Sequence, residues 1–169
     1  MSLQEFLLQA QPELVEQWFQ CILTTYPTGT AEFLAHEPNR FRNPVGQTTR
    51  SALAQLFAGI VRGIPADELR LPLDEIIRIR AVQDFRASSA VGFLLQLKPL
   101  IRQRLRATAT ANGMPATLNE LEARIDMVAL LAFDIYMECR EKIYTIKSDA
   151  ARRRTHILLE HLNRKGGGD

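Results

Sequence analysis

Three histidines, two cysteines and one isolated aspartate are the residues of this chain with the most obvious chemical capacity. His36 stands alone, and His156 and His161 are five positions apart. A zinc pair on a helix needs an i, i+4 spacing and a third ligand, and a five-residue step turns the second ring away. His156 and Glu160 have the four-residue spacing, but no further ligand motif accompanies them. An all-helical chain of this length invites comparison with the globins. Yet no histidine lies between His36 and His156, where a mid-chain helix would present one to a haem. Cys21 and Cys139 have no CxxC neighbour, so neither is spaced for zinc or thioredoxin chemistry, and both are expected as small buried hydrophobes. The expectation is a chain that holds no metal and no cofactor.

Asp134 is the carboxylate that stands out, set in "LLAFDIYMECREKIY" with apolar residues on both sides. Two readings are open for it: a partly buried ion pair with Arg78 or Arg80, or a place in a ligand pocket. Glu138 and Lys142 form an ordinary i, i+4 surface pair. Neither GxSxG nor HExxH occurs, and no cysteine–histidine arrangement is evident. A non-enzyme is expected.

The basic residues are unevenly chosen and placed. Arginine outnumbers lysine 17 to 4, while the formal net charge is only +2, too small to imply nucleic acid. From Phe85 to Asn119 there is no carboxylate, whereas Arg86, Lys98, Arg102, Arg104 and Arg106 add positive charge. Such a stretch is either a solvated helix face or a docking face for an acidic protein. The candidate partner-binding residues are Arg78, Arg80, Arg102, Arg106, Arg152, Arg153 and Arg154. "RFRNPVG" offers a second ambiguity. Asn43 suits an N-cap and Pro44 the first helical position, with Gly46 in the first turn. The free amides near Gly46, beside Arg40 and Arg42, would also suit an anion. No glycine-rich cradle or Walker lysine accompanies them.

The elements that must position these residues are helices punctuated by proline and glycine. Ser2-Leu-Gln-Glu5 has the form of a capping box. Pro12 opens a second helix with Leu14, Val15, Trp18, Phe19 and Ile22 on one face, ended by Tyr26-Pro27. A short helix spans about Thr30 to His36. A longer one runs from Asn43-Pro44 to Gly63, with Leu53, Leu56, Phe57 and Ile60 inward. "LRLPL" alternates like a strand broken by Pro72, and Asp74 would cap a helix reaching Phe85. Ser88 would cap the next, with Pro99 kinking it and Asn112 to Pro115 looping out of it. Thr117-Leu-Asn-Glu120 is another capping box.

From Leu121 the apolar residues Ile125, Val128, Ala132, Ile135, Cys139, Ile143 and Ile146 recur at steps of three and four, widened by Leu131, Met137 and Tyr144. No breaker follows until Gly166. A single helix from 117 to 165 would extend roughly 70 Å, against roughly 40 Å for a compact body of this length. It must therefore bend after Ile146 or project. The expected fold is all-α, a globin-like bundle of about six to eight helices with a long C-terminal helix. The body is expected over 1–146, a dimerising extension over 147–165 and a flexible tail over 166–169. Glu5, Glu13 and Glu16 argue against a signal peptide, and no apolar run reaches the ~18 residues of a membrane span. A cytoplasmic protein without direct membrane insertion is expected.

"RFRNPVG", "IIRIRAVQDFRASSAVGFLLQLK" and "LLAFDIYMECREKIYTIK", in that order, resemble the RsbRD N-terminal domain family. The resemblance implies an all-helical, globin-like sensor domain without haem. In stressosome-type regulators such domains precede a STAS domain through a long linker helix that dimerises. Here the sequence stops where the STAS domain would begin. A stand-alone copy is similar to the DsrT group, small proteins that accompany the DsrMK membrane complex of dissimilatory sulfur metabolism. That implies an accessory role through protein partners, either the DsrMK complex or its sulfur-carrier protein. The expectation is a homodimer through the last helix. The alternative is an RsbR-type sensor or stressosome-related regulator that binds a small ligand.

Overall fold

The computed structural model describes residues 2–107 and 115–166. Among them are eight α-helices and one short 3-10 turn, with no strand. The helices are α1 (Leu3–Gln9), α2 (Gln11–Leu23), α3 (Thr28–His36), α4 (Pro44–Arg62), α5 (Arg70–Val82), α6 (Ala87–Val91), α7 (Phe93–Ala107) and α8 (Pro115–Gly166), and the 3-10 turn covers Ala66–Leu69. The all-α architecture with a long last helix is as the sequence predicts. The turn expected around Asn112 lies outside the described residues, as do positions 167–169 of the expected tail.

The first four helices follow their local signals. Ser2 accepts from the Glu5 amide while the Glu5 carboxylate accepts from the Ser2 amide, a complete capping box. That pairing holds the Glu5 carboxyl below its usual range. Helix α2 sends Leu14, Trp18, Phe19 and Ile22 inward. The Trp18 indole N–H donates to the Phe93 carbonyl at 2.7 Å, so the largest buried side chain leaves no unsatisfied donor. Helix α4 ends on Gly63, whose φ of 77° is open to glycine at no steric cost.

Four expectations fail at the next boundaries. "LRLPL" is not strand-like: the 3-10 turn runs directly into α5, and Pro72 sits in its first turn, where a missing N–H costs nothing. The residues buried there are Leu69, Leu73, Ile76, Ile77 and Ala81, a helical spacing. Asp74 is therefore inside α5, where it receives Arg78 at 2.8 Å instead of capping. Ser88 does not cap a long helix either. It lies within α6, and the chain breaks at Gly92, whose amide returns to the Ser88 carbonyl at 2.8 Å. Helix α7 then runs through Pro99 to Ala107. Thr117 and Glu120 also fall inside a helix, since α8 begins at Pro115.

Helix α8 has 52 residues, roughly 78 Å at 1.5 Å each. It packs on α5, α7, α6 and α4 through Leu121, Ile125, Val128, Ala132, Ile135 and Cys139, all buried. Beyond Cys139 no described residue is buried. The predicted stripe therefore stops short: Ile143 is half-buried, while Met137, Tyr144 and Ile146 face solvent. The helix continues without a break past the body, as the projecting alternative required.

Candidate functional site

Asn43 turns the helix entry into a joint between two elements. Its Oδ1 accepts from the Gly46 amide at 2.9 Å, the expected N-cap bond. Its Nδ2 donates to the carbonyls of Leu34 at 3.0 Å and Glu37 at 3.1 Å, in the last turn of α3 and just past it, where helical carbonyls lack partners. The side chain is completely buried. Gly46 is buried against it, and a Cβ there would lie 2.5 Å from Asn43 Nδ2 and 2.7 Å from the Leu34 oxygen. The Gly46 amide is thus already taken, and Arg42 pairs with Glu37 at 3.4 Å. Of the two readings for this stretch, the helix entry is the one observed. Its tip leaves Phe41 almost wholly exposed between Arg40 and Arg42.

Arg80 is not on the surface. It is 1% exposed, on the α5 face that carries Leu73, Ile76, Ile77 and Ala81. Nε donates to the Ala90 carbonyl at 3.2 Å, and Nη2 to the Ser89 carbonyl at 2.7 Å and to Thr25 Oγ1 at 3.0 Å. Nη1 is enclosed and has no hydrogen-bond partner. The guanidinium lies 4.3 Å from the Phe85 ring centroid, with Tyr26 and Phe93 within 6 Å. Two of these contacts have a structural reason, because Ser89 and Ala90 belong to α6, whose last carbonyls lack intrahelical partners. Burial lowers the Arg80 pKa and raises that of Tyr26, but arginine stays charged at any ordinary pH. No carboxylate pairs with it among the described residues.

The turn after α5 brings Phe85 back over this charge. Asp84 adopts a φ of 62°, a left-handed conformation that aspartate tolerates better than most residues. The Phe85 amide then reaches the Arg80 carbonyl at 3.3 Å. The Asp84 carboxylate pairs with Arg140, which also donates to the Ala81 carbonyl at 3.0 Å. Tyr136 donates its hydroxyl to the Phe85 carbonyl at 2.5 Å. All three bonds come from α8.

A groove of about 500 Å³ opens over this region, lined by Cys21, Thr24, Thr25, Ser88, Ser89, Gly92, Phe93 and Gln96. Thr25 and Ser89 are common to the groove and to the Arg80 cage. Spacing within α5 already carried a sign of the buried charge, since position 80 is four from Ile76 and three from Ile77. Nothing local marked the groove, which joins residues from α2, α6 and α7.

The acid-free basic stretch is largely neutralised from elsewhere in the fold. Arg102 makes a two-pronged pair with Glu122, both bonds 2.6 Å, Lys98 meets Asp126 at 2.6 Å, and Arg104 meets Glu13 at 3.2 Å. Arg78 is exposed and held by Asp74, which raises its pKa. Arg106 is exposed at the end of α7. Arg152, Arg153 and Arg154 are exposed on the projecting part of α8.

Neither reading of Asp134 survives. It is exposed, because it lies on the side of α8 opposite the buried stripe, and the arginines considered for it are held by Asp74 and by the cage. It stands instead in an exposed row along α8. Met127, Leu130, Met137, Tyr144, Leu158 and Leu162 are all more than 40% exposed, and steps of three and four link them through 134, 141, 148, 151 and 155. Positions 134, 141, 148, 151 and 155 carry Asp, Glu, Ser, Ala and Thr. Among the described residues no group of His, Cys, Asp and Glu is placed to hold a metal, and no helix is long and apolar enough to cross a membrane.

One continuous helix, α8, runs past the helical body it packs on. Residues 12–151 match the model of the RsbT co-antagonist protein rsbRD N-terminal domain, and the chain belongs to that family. Membership makes it a regulatory, sensor-like domain. Neither a curated protein nor a solved structure matches the chain. The family match ends within the exposed part of α8, just before Arg152 to Arg154.

Proposed function

We propose that this protein is a non-enzymatic regulator that works as a homodimer through α8 and acts by binding other proteins. The observation that carries the reading is the exposed row from Met127 to Leu162, which follows a 3.5-residue repeat. Apolar residues repeated in that period bury themselves by pairing with a second helix. The row begins on the body, so the interface would include the domain as well as the extension. Replacing Leu130 and Met137 by Glu, or Leu158 and Leu162 by Glu, should shift the full chain toward monomer in sedimentation equilibrium. A wild-type monomer at tens of micromolar would refute the dimer. Truncation after Ile146 removes only part of the row and should weaken the dimer while the body stays folded.

The finer reading is a DsrT-like accessory protein assisting the DsrMK redox complex of dissimilatory sulfur metabolism, or its sulfur carrier. It is carried over from the resemblance to the DsrT group. Arg152, Arg153 and Arg154, together with Phe41 between its arginines, are the surfaces offered for that contact. Co-elution of the protein with purified DsrMK complex, lost on changing Arg152 to Arg154 to Glu, is the expected result. Failure of the wild type to co-elute would refute it.

A second reading is an RsbR-type sensor or stressosome-related regulator that binds a small ligand. The charge of Arg80, paired with no carboxylate among the described residues, behind an uncharged groove favours it. Co-purification with STAS proteins would separate a stressosome role from the sulfur role.

A further inference from the structure

A buried cation without a carboxylate is unusual, because desolvating the charge costs several kcal/mol that only partners can offset. In the Arg80 cage the partners are two carbonyls, one hydroxyl and aromatic faces. Capping of α6 accounts for Nε and Nη2. It leaves Nη1 unsatisfied and the unit charge uncompensated.

The charge has one polar outlet. Nη2 is 3.0 Å from Thr25 Oγ1 and 2.7 Å from the Ser89 oxygen, and both residues form part of the groove wall. Every other lining residue is uncharged: Cys21, Thr24, Ser88, Gly92, Phe93 and Gln96. The Thr24 and Thr25 hydroxyls already donate to the Cys21 and Ile22 carbonyls, so the groove offers the Ser88 and Ser89 hydroxyls and the Gln96 amide as donors, no negative side chain, and a full positive charge one residue layer behind its wall. Its volume of about 500 Å³ falls within the roughly 300–1,000 Å³ typical of small-molecule sites.

We propose that this groove is an anion site that takes a small organic acid or oxyanion, its acidic group at the Ser88 and Ser89 hydroxyls and the rest of the ligand along Gly92, Phe93 and Gln96. Arg80 acts as a positioning residue, through its field and through the bonds that hold Thr25 and Ser89 in place. The proposal rests on the ligand-sensing reading and names its ligand class. It is independent of the dimer, and sedimentation of the same samples keeps the two apart.

Cys21 lines the groove and is only partly buried, so it reports the local field. Its alkylation by iodoacetate, an anion, is compared with alkylation by neutral iodoacetamide, read on the Cys21 peptide by mass spectrometry. The iodoacetate-to-iodoacetamide rate ratio should fall on the order of tenfold in Arg80→Met. Ser89→Asp serves if Arg80→Met does not fold, since it keeps the Ser89 carbonyl that Arg80 uses and places a negative charge at the site. It should lower the ratio comparably. Sodium sulfate, phosphate and succinate are the probes, at ionic strength fixed with sodium chloride. At least one should slow iodoacetate at Cys21 with saturation in the wild type and not in Ser89→Asp. An unchanged ratio in Ser89→Asp, protection that sodium chloride reproduces, or no protection by any of the three probes overturns the site.

Discussion

Asn43 uses both ends of its amide, and that makes it different from an ordinary helix cap. Asparagine and aspartate are near equals at an N-cap because either supplies the acceptor. Here Nδ2 also donates to the Leu34 and Glu37 carbonyls, which a carboxylate would repel. Asn43→Ala should lower unfolding free energy by about 2 kcal/mol in urea titration. Asn43→Asp should be at least as damaging at neutral pH and should recover in acid, as the carboxyl protonates. Equal stability of wild type and Asn43→Asp at pH 7 would show that the donor bonds carry no weight. Asp84 makes a pH prediction of the opposite sign. The hydrogen bond from Arg140 first, and then the charges of Arg140 and Lys147, hold its carboxyl below the usual range. A depressed folded-state pKa contributes stability that is full above the unfolded value, about 3.9, and is lost as pH falls through the folded one. Acid titration of Asp84→Asn, followed by circular dichroism, should show a shallower loss below about pH 4 than wild type.

Among the elements, two glycines in similar-looking company have opposite expected effects. Gly92 stands at the break between α6 and α7, where a Cβ would lie 2.5 Å from the Ser88 carbonyl oxygen. That oxygen is backbone and cannot swing aside, so Gly92→Ala should destabilise by about 1–3 kcal/mol. Gly29 lies inside α3 with nothing within 4 Å, and Gly29→Ala should stabilise by up to about 1 kcal/mol. Urea midpoints of the two variants check both signs. The boundaries that could be read from sequence were those fixed by local bonds, such as Ser2 with Glu5 and Asn43 with Gly46. Those misread depended on side-chain partners that a cap pattern does not reveal. Asp74 looked like a cap but is occupied by Arg78 one turn on, and Ser88 looked like a cap although α6 starts at Ala87 and is held by Arg80 from α5. Arg80 and Asp134 were misassigned for one reason: a charge in an apolar run can face either way, and only the packing of α5 and α8 decides which. The three characteristic segments identified the family, since they recur in order and do not depend on that packing.

For the molecule as a whole, none of the described side chains of α8 beyond Cys139 is buried. A helix of that length alone in water is marginally stable, because most helical stability in proteins comes from packing of one face. If the proposed dimer forms, the amides of the extension should exchange slowly in the wild type and quickly in a variant such as Leu158→Glu with Leu162→Glu. Hydrogen exchange by mass spectrometry on peptides from 140–164 reads this directly. Equal, fast exchange in both would refute pairing of the extension.

Between Met127 and Cys139 the same turns of α8 carry Val128, Ala132, Ile135 and Cys139 on one side, and Met127, Leu130 and Met137 on the other. Side-chain directions on a helix advance by about 100° per residue, so the two sides are locked in phase. Neither glycine nor proline interrupts the helix between Ala116 and Lys165. A twist of α8 about its own axis, imposed where Tyr136 and Arg140 meet the turn at Asp84 and Phe85, would not dissipate at a joint. It would arrive at Leu158 and Leu162 as the same angle, and two paired helices would have to re-register to accept it.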